Sequence, residues 1–408
     1  MGNIKRIGVL SVHTCPLGHL GTKDTGGMNV YVRELSRELG RHGFLVDIFT
    51  RYRNCDHPCV VELGDGVRLI HLNAGESVDM SKYDLYPYMP EFAANVVHFQ
   101  QSNNLKYDLI HSHYWLSVWV GEILQACWKV PHLATFHTLG RAKNLALSQE
   151  EEPELRLTTE DRVTKTVDRV IALSASEKQQ LTSLYSMDER KVTVVPGGID
   201  LELCRPMNRN DSRAALGLPN ESKIVLYVGR MDPLKGIDIL INAISLIPQG
   251  HRPKCLIVGG NAQDDGHVGE FRSMAEDLKV AQQIEFMGPV EHETVPLFYN
   301  AADICVVPSH YESFGLVALE SLACGTPVVA SQVGGLPTIV EHMVNGLLVP
   351  QPSPRSFAAA LSLLLEDAVL QQRLARGAIV TANRFAWTDI RALVVDQYSK
   401  FGVCTSAG

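Results

Sequence analysis

The chain has 408 residues, 45% of them hydrophobic and 20% charged, enough for two or three domains of about 150 residues each. This composition excludes a disordered, fibrous or small disulfide-stapled protein. Against 45 Asp and Glu stand 37 Lys and Arg, a formal charge of −8, which argues against a general nucleic-acid or anionic-membrane binder but not against a local basic pocket for one phosphate.

The first apolar run, Ile7 to Val12, is broken by His13 and Thr14 and is too short for a signal segment. No stretch approaches the roughly 20 apolar residues of a membrane span. The nine cysteines are scattered, which fits a reducing, cytoplasmic setting without structural disulfides. Cys55 and Cys59 have C-x3-C spacing, but no second Cys/His pair follows at zinc-site spacing, so no metal is expected.

Strand and helix signals then alternate. Ile7–His13 predicts a strand, and Met28–Arg41 a helix with Val30, Val32, Leu35 and Leu39 on its apolar face. Gly43 ends that helix, and further strands are predicted at Leu45–Thr50, Val67–Leu72, Leu109–His113, His132–His137, Arg169–Leu173 and Val192–Val195. Helical spacing fills Pro90–Gln101 and Leu116–Cys127. After Pro206 a polar linker and short helix (Met207–Ser222) precede a second series. Its strands fall at Ile224–Val228, Cys255–Val258, Ile284–Met287, Ile304–Val307, Val328–Ala330 and Leu347–Val349, with a helix at Ile237–Ile247. Thr388–Phe401 is a last helix that could lie on either domain. The pattern is that of two doubly wound α/β domains facing a central cleft, with ligands at the carboxyl ends of the strands.

Several loops at those strand ends carry chemistry. Lys23-Asp24-Thr25-Gly26-Gly27-Met28-Asn29 allows close backbone approach to a ligand at a helix N-terminus, or is a plain turn. It is not G-x-G-x-x-G, so a nicotinamide or flavin dehydrogenase loses support. His111, His113, Tyr114 and Trp115 cluster at one strand end, suited to substrate contact or packing. His137, Thr138, Arg141 and Lys143 follow another and suit a phosphorylated, hydroxyl-rich ligand, or form a solvated basic loop. In the second half, Gly229-Arg230 and Lys235-Gly236 set two cations near a helix N-terminus, matching a diphosphate. Glu312 is expected in a loop, and Glu320 on an apolar helix face needs a partner, which two ribose hydroxyls would supply.

At Thr25-Gly26-Gly27, His137, Gly229-Arg230, Lys235-Gly236, Glu312 with Glu320, and Gly334-Gly335-Leu336-Pro337, the sequence resembles the retaining nucleotide-sugar glycosyltransferases of family GT4, which have the GT-B fold. The resemblance implies an N-terminal acceptor domain over residues 1–205, a nucleotide-sugar domain over 206–387, and a helix at 388–408 crossing back to the first. It implies that Arg230 and Lys235 neutralise the donor diphosphate, that Glu320 holds the ribose and that Glu312 contacts the donor sugar. Phe314 and the backbone amides of Gly315, Leu316 and Val317 join that donor site, as do Gly229, Gly26 and Gly27, with His137 near the reacting centre. Neither a cofactor nor a catalytic metal is implied.

Two subgroups fit. Leu139-Gly140-Arg141 with Lys143 resembles sucrose-phosphate synthases. Met28-Asn29 and His111-Ser112-His113-Tyr114-Trp115-Leu116 resemble the N-acetylglucosaminyltransferases that use inositol phosphate in mycothiol synthesis. In the latter the acceptor phosphate is held at positions matching Lys82, Tyr114, Thr138 and Arg156; the former adds Arg141 and Lys143, and Lys23 and Asn29 line the acceptor side. The basic loop after His137 favours UDP-glucose and fructose 6-phosphate as substrates, with UDP-GlcNAc and inositol phosphate as the alternative. A non-catalytic sugar-nucleotide binding protein of the same fold is the third reading.

Overall fold

The computed structural model describes residues 5–18, 26–52, 58–76, 78, 80–146, 151–260 and 266–403. Lys23, Asp24, Thr25 and Cys55 lie outside them. The described residues fall into two compact units, one of residues 5–18, 28–196 and 387–403, the other of 26–27 and 197–386.

In the first unit the order is β1 (Arg6–Leu10), α1 (Gly27–Arg41), β2 (Leu45–Arg51), β3 (Val60–Gly64), β4 (Val67–Leu72), α2 (Met89–Ser102), β5 (Leu109–His113), α3 (Trp115–Trp128), β6 (His132–Thr135), α4 (Gly140–Ala146), α5 (Glu154–Thr166), β7 (Arg169–Ala172), α6 (Ala175–Leu184) and β8 (Val192–Val194). They build an eight-stranded sheet in the order β3-β4-β2-β1-β5-β6-β7-β8. Every pairing is parallel except β3 with β4. Helices cover both faces, so a central strand such as β5 is buried at all five positions. On one side Leu10, Phe49, Phe92, Ile110 and Trp115 form a continuous core.

The second unit runs α7 (Arg209–Ala215), β9 (Ile224–Val228), α8 (Ile237–Leu246), β10 (Lys254–Val258), α9 (Gly266–Asp277), β11 (Ile284–Gly288), α10 (Val295–Ala301), β12 (Ile304–Val307), α11 (Leu316–Ala323), β13 (Val328–Ser331), α12 (Leu336–Ile339), β14 (Gly346–Val349), α13 (Pro354–Glu366) and α14 (Ala368–Ala382). Its six parallel strands lie in the order β11-β10-β9-β12-β13-β14. Tyr227, Ile237, Ile257, Val306 and Phe357 sit in its core.

The last helix, α15 (Trp387–Ser399), belongs to the first unit. The Tyr398 hydroxyl is 2.8 Å from Nδ1 of His111 on β5, and Thr193 of β8 donates its hydroxyl proton to Gln397. No described helix is long and apolar enough to cross a membrane.

Some elements differ from the sequence reading. The first unit closes at Pro196, where the sequence placed the boundary at residue 205. β6 stops at Thr135 rather than His137, because His137 turns into the left-handed region at φ 61°. The antiparallel edge strand β3 was not predicted. Its residues alternate between half-buried and exposed, so it lacks the buried apolar face that marks the other strands.

Candidate active site

A doubly wound sheet opens a crevice where its strand order reverses, at the carboxyl ends of the two strands there. In the second unit these strands are β9 and β12. After β9 the chain passes Gly229 and Arg230, and Asp232 caps a short turn by accepting from the Leu234 amide at 3.0 Å. Lys235 and Gly236 follow, and then α8 begins with no side-chain cap on its N-terminus. Gly236 has φ 67°, and a Cβ there would stand 2.1 Å from the Pro308 carbonyl oxygen, so only glycine lets the two strand-end loops come this close.

After β12 the loop from Pro308 leads through Glu312 to Gly315, where α11 starts, again without a side-chain cap. Nζ of Lys235 lies 2.6 Å from Oε2 of Glu312. The Arg230 guanidinium is 3.1 Å from Asp232. Two uncapped helix N-termini with a lysine and an arginine beside them make an edge suited to an anion. Gly334 and Gly335 fix the Glu312 loop from behind. At Gly334 (φ 53°) a Cβ would fall 1.7 Å from the Glu312 carbonyl oxygen, and that carbonyl accepts from the Gly335 amide at 2.8 Å.

Glu320 is buried on α11. Its partners within the chain are the Tyr299 hydroxyl, which donates at 2.8 Å, and Nε2 of His292 at 3.2 Å. From sequence alone only a ligand is expected against that carboxylate; the structure adds these two groups of the chain. The Phe314 ring packs 6.3 Å from Phe385 and is buried, which leaves its backbone for any ligand.

In the first unit the strand order reverses between β1 and β5. His13, beyond β1, stacks on Tyr114, beyond β5, with ring centroids 4.2 Å apart. Asn29 is buried, and its amide donates to Thr14 Oγ1 (2.8 Å) and to the Cys15 carbonyl (2.7 Å), tying that loop to α1. Tyr114 has φ 77° and His137 φ 61°, both buried. Strained residues of this kind cost about 1–3 kcal/mol each and concentrate at functional sites. Nε2 of His137 shares a 3.0 Å hydrogen bond with Nδ1 of His113. Burial first, and then the neighbouring His111, push the His137 imidazole down to about 3, so it works as a neutral hydrogen-bonding group.

Around Arg156 the structure gathers Tyr114 and Thr138. Arg156 is completely buried. Its Nη1 donates to the Tyr114 hydroxyl (3.2 Å), and its Nη2 to the carbonyl and hydroxyl oxygens of Thr138 (3.0 Å each). Nε donates to Glu160 at 2.7 Å. Lys143 donates to Glu152, whose carboxylate is also 3.0 Å from Nη1 of Arg156. Lys82 acts on the same carboxylate electrostatically. Arg141, expected beside Lys143, instead reaches Asp161 at 2.5 Å, with its amide donating to the Tyr185 hydroxyl.

Comparisons with known proteins show the family. The sequence family described as Glycosyltransferase Family 4 matches residues 25–203, and that described as Glycosyl transferases group 1 matches residues 208–380. A D-inositol 3-phosphate glycosyltransferase of Xylanimonas cellulosilytica is 40% identical over 404 residues, covering 97% of this chain and 96% of its own.

The chain belongs to the GT4 glycosyltransferases of GT-B fold.

A second relative of this glycosyltransferase, the D-inositol 3-phosphate glycosyltransferase of Actinosynnema mirum, is 42% identical over 393 residues, 94% of each chain. Among solved structures, the sucrose-phosphate synthase of Thermosynechococcus elongatus superposes with a TM-score of 0.90 at 35% identity, over 98% of this chain and 99% of that one. The sequence reading missed Tyr299 and His292, the partners of Glu320, and Tyr83, Glu152 and Glu160 in the Arg156 cluster. For Glu160 a signal was present: it stands four residues after Arg156, the repeat that brings side chains together on a helix.

Proposed function

We propose that this glycosyltransferase moves N-acetylglucosamine from its uridine diphosphate to an inositol phosphate, with retention at the anomeric carbon. The observation that carries the reading is the assembly of Tyr114 and Thr138 on the buried Arg156, with Lys82 acting electrostatically on the adjoining Glu152. These are the positions that the inositol-phosphate subgroup implies for the acceptor phosphate. The competing reading, sucrose 6-phosphate formation, leaned on Arg141 and Lys143, of which Arg141 is held by Asp161 while Lys143 joins the cluster through Glu152. The two relatives named for inositol 3-phosphate, at 40% and 42% identity, support the same choice.

On this reading the donor diphosphate lies at the N-termini of α8 and α11, with Arg230 and Lys235 neutralising it and Glu320 accepting from the ribose hydroxyls. Glu312 keeps the Lys235 ammonium in place before the donor arrives and then accepts from a sugar hydroxyl. As the glycosidic bond to phosphate breaks, negative charge builds on the leaving oxygen, and fixed cations there lower the barrier without reorganisation. The acceptor hydroxyl attacks from the face the leaving group departs from, and its proton passes to the departing phosphate oxygen. His137, neutral by burial, orients the sugar by hydrogen bonding. Charge neutralisation by these cations and helix ends gives a catalytic metal or cofactor no part in the proposed steps.

The deciding experiment measures UDP release with two substrate pairs, each with and without acceptor. UDP-GlcNAc with D-inositol 3-phosphate is expected to give acceptor-dependent release at least tenfold above UDP-glucose with fructose 6-phosphate. The reverse ratio restores the sucrose-phosphate reading. Release that no acceptor raises above slow hydrolysis favours a sugar-nucleotide binding protein.

A further inference from the structure

The Arg156 cluster contains a carboxylate that the transfer chemistry does not use. Glu152 has a side chain only 4% exposed, accepts from Lys143 Nζ and the Tyr83 hydroxyl, and lies 3.0 Å from Nη1 of Arg156. Burial alone would push this carboxyl up, but Arg156, Lys82 and Lys143 outweigh it and hold it at about 2. The groups facing Glu152 are therefore Lys82, Tyr83, Tyr114, Lys143 and Arg156. The second carboxylate of the cluster, Glu160, is tied elsewhere: it accepts from Nε of Arg156 at 2.7 Å, the Gly140 amide at 2.9 Å and the Tyr185 hydroxyl at 2.5 Å. The partners of the Glu152 carboxylate are groups that would also suit a phosphate, and its fixed attachment is a backbone one, its amide donating to Asn144 Oδ1 at 2.7 Å.

We propose that Glu152 is an internal stand-in for the acceptor's phosphate, occupying Lys82, Lys143 and Arg156 in the free protein and leaving them when a phosphate monoester binds. The inference rests on reading this cluster as the acceptor-phosphate site. Three cations against Glu160 alone leave two positive charges, the match for a dianionic monoester; with Glu152 in place one remains. A tethered carboxylate competes at high effective concentration. A ligand that offers one charge and two oxygens gains little over it, whereas a dianion brings twice the charge and a third acceptor oxygen. Glu152 thus imposes the same cost on every anion, which a dianion, as the stronger binder, meets most readily. It also keeps the basic side chains converged while the site awaits its substrate.

The test is calorimetric binding of methyl phosphate (a monoester) and dimethyl phosphate (a diester with one charge) at pH 7.5 to the full chain and to Glu152→Gln. Displacement lowers every anion's affinity by one common factor, so removing the competitor is expected to tighten both probes equally, by about tenfold or more. A carboxylate that stays put and merely repels would instead affect the dianion twice as strongly on a logarithmic scale. That result, unchanged affinities or weakened ones would each overturn the proposal. Glu152→Asp, one methylene short of the cations, is the second variant, and an equal but smaller gain is expected of it. If the unmodified chain binds neither probe, the acceptor-site reading itself fails; if it binds the monoester and the variants change nothing, only the role of Glu152 does.

Discussion

Lys235 and Glu312 sit 2.6 Å apart on loops that leave two adjacent strands, β9 and β12, of one sheet. The pair is partly solvated, with side chains 23% and 16% exposed, so its worth to stability is small. Its worth to catalysis is expected to be large. Lys235→Ala should lower kcat/KM for acceptor-dependent UDP release by a factor of about a hundred or more, with Tm nearly unchanged. A rate within a few-fold of the unmodified enzyme would remove Lys235 from the leaving-group role.

Glu320 accepts from Tyr299 and His292 and in the proposed reading also from the donor ribose. Glu320→Gln keeps the size and one carbonyl oxygen for Tyr299 but loses the charge. The donor KM should rise about tenfold, equivalent to about 1.4 kcal/mol, with kcat little altered. An effect confined to kcat would place the ribose elsewhere.

The Thr138 hydroxyl oxygen accepts from Nη2 of Arg156 at 3.0 Å. Thr138→Val keeps the shape and deletes that group. Steady-state kinetics should show the acceptor KM raised roughly tenfold and the donor KM unmoved; a change in the donor KM alone would contradict the acceptor assignment.

Gly334 has φ 53°, and a Cβ there would fall 1.7 Å from the Glu312 carbonyl oxygen. Gly334→Ala combines a left-handed backbone cost of about 1–2 kcal/mol with a backbone clash that moves the Glu312 loop. Both Tm and donor affinity should fall. Loss of affinity at unchanged Tm would mean that the loop yields locally.

The parallel strands of both sheets were legible because buried parallel strands are continuous apolar runs, as in Ile224–Val228. The donor loops were legible too, because close backbone approach demands glycine at Gly236 and Gly334 whatever surrounds them. The Arg156 cluster was half legible. Lys143 stands out in the basic loop after His137, and Lys82 and Arg156 come only from the family resemblance, but Glu152 sits in the run Glu150-Glu151-Glu152, which reads as a solvated face until the fold buries it. Tyr299 and His292 reach Glu320 from a different part of the chain, 21 and 28 residues away. Only the tertiary fold puts them there.

The buried histidines predict an acid limit. Burial lowers His111, His132 and His137 to about 3, and His113 well below its usual value. The unfolded chain binds these protons near pH 6.5 and the folded chain does not, so stability is lost as pH falls from about 6.5 towards 3. Glu177 acts oppositely. Burial raises it to about 7, so its contribution is lost as pH rises from about 4.5 to 7. Thermal melts should show Tm falling steadily below pH 6.5, and Glu177→Gln gaining several degrees at pH 8 but none at pH 4.5. A flat Tm from pH 7 to 5 would contradict the histidine argument.

Tyr398 of the last helix bonds to His111 of the central sheet of the first unit. During synthesis this closing piece emerges about two hundred residues after the rest of its unit has been made, at Pro196. At roughly 5–20 residues per second, that is a wait of about 10–40 s. The second unit, being continuous apart from Gly26 and Gly27, is complete while the first still lacks its final helix. The ribosome thus delivers the second unit finished before the first, although β1 of the first unit precedes all of its strands in the chain.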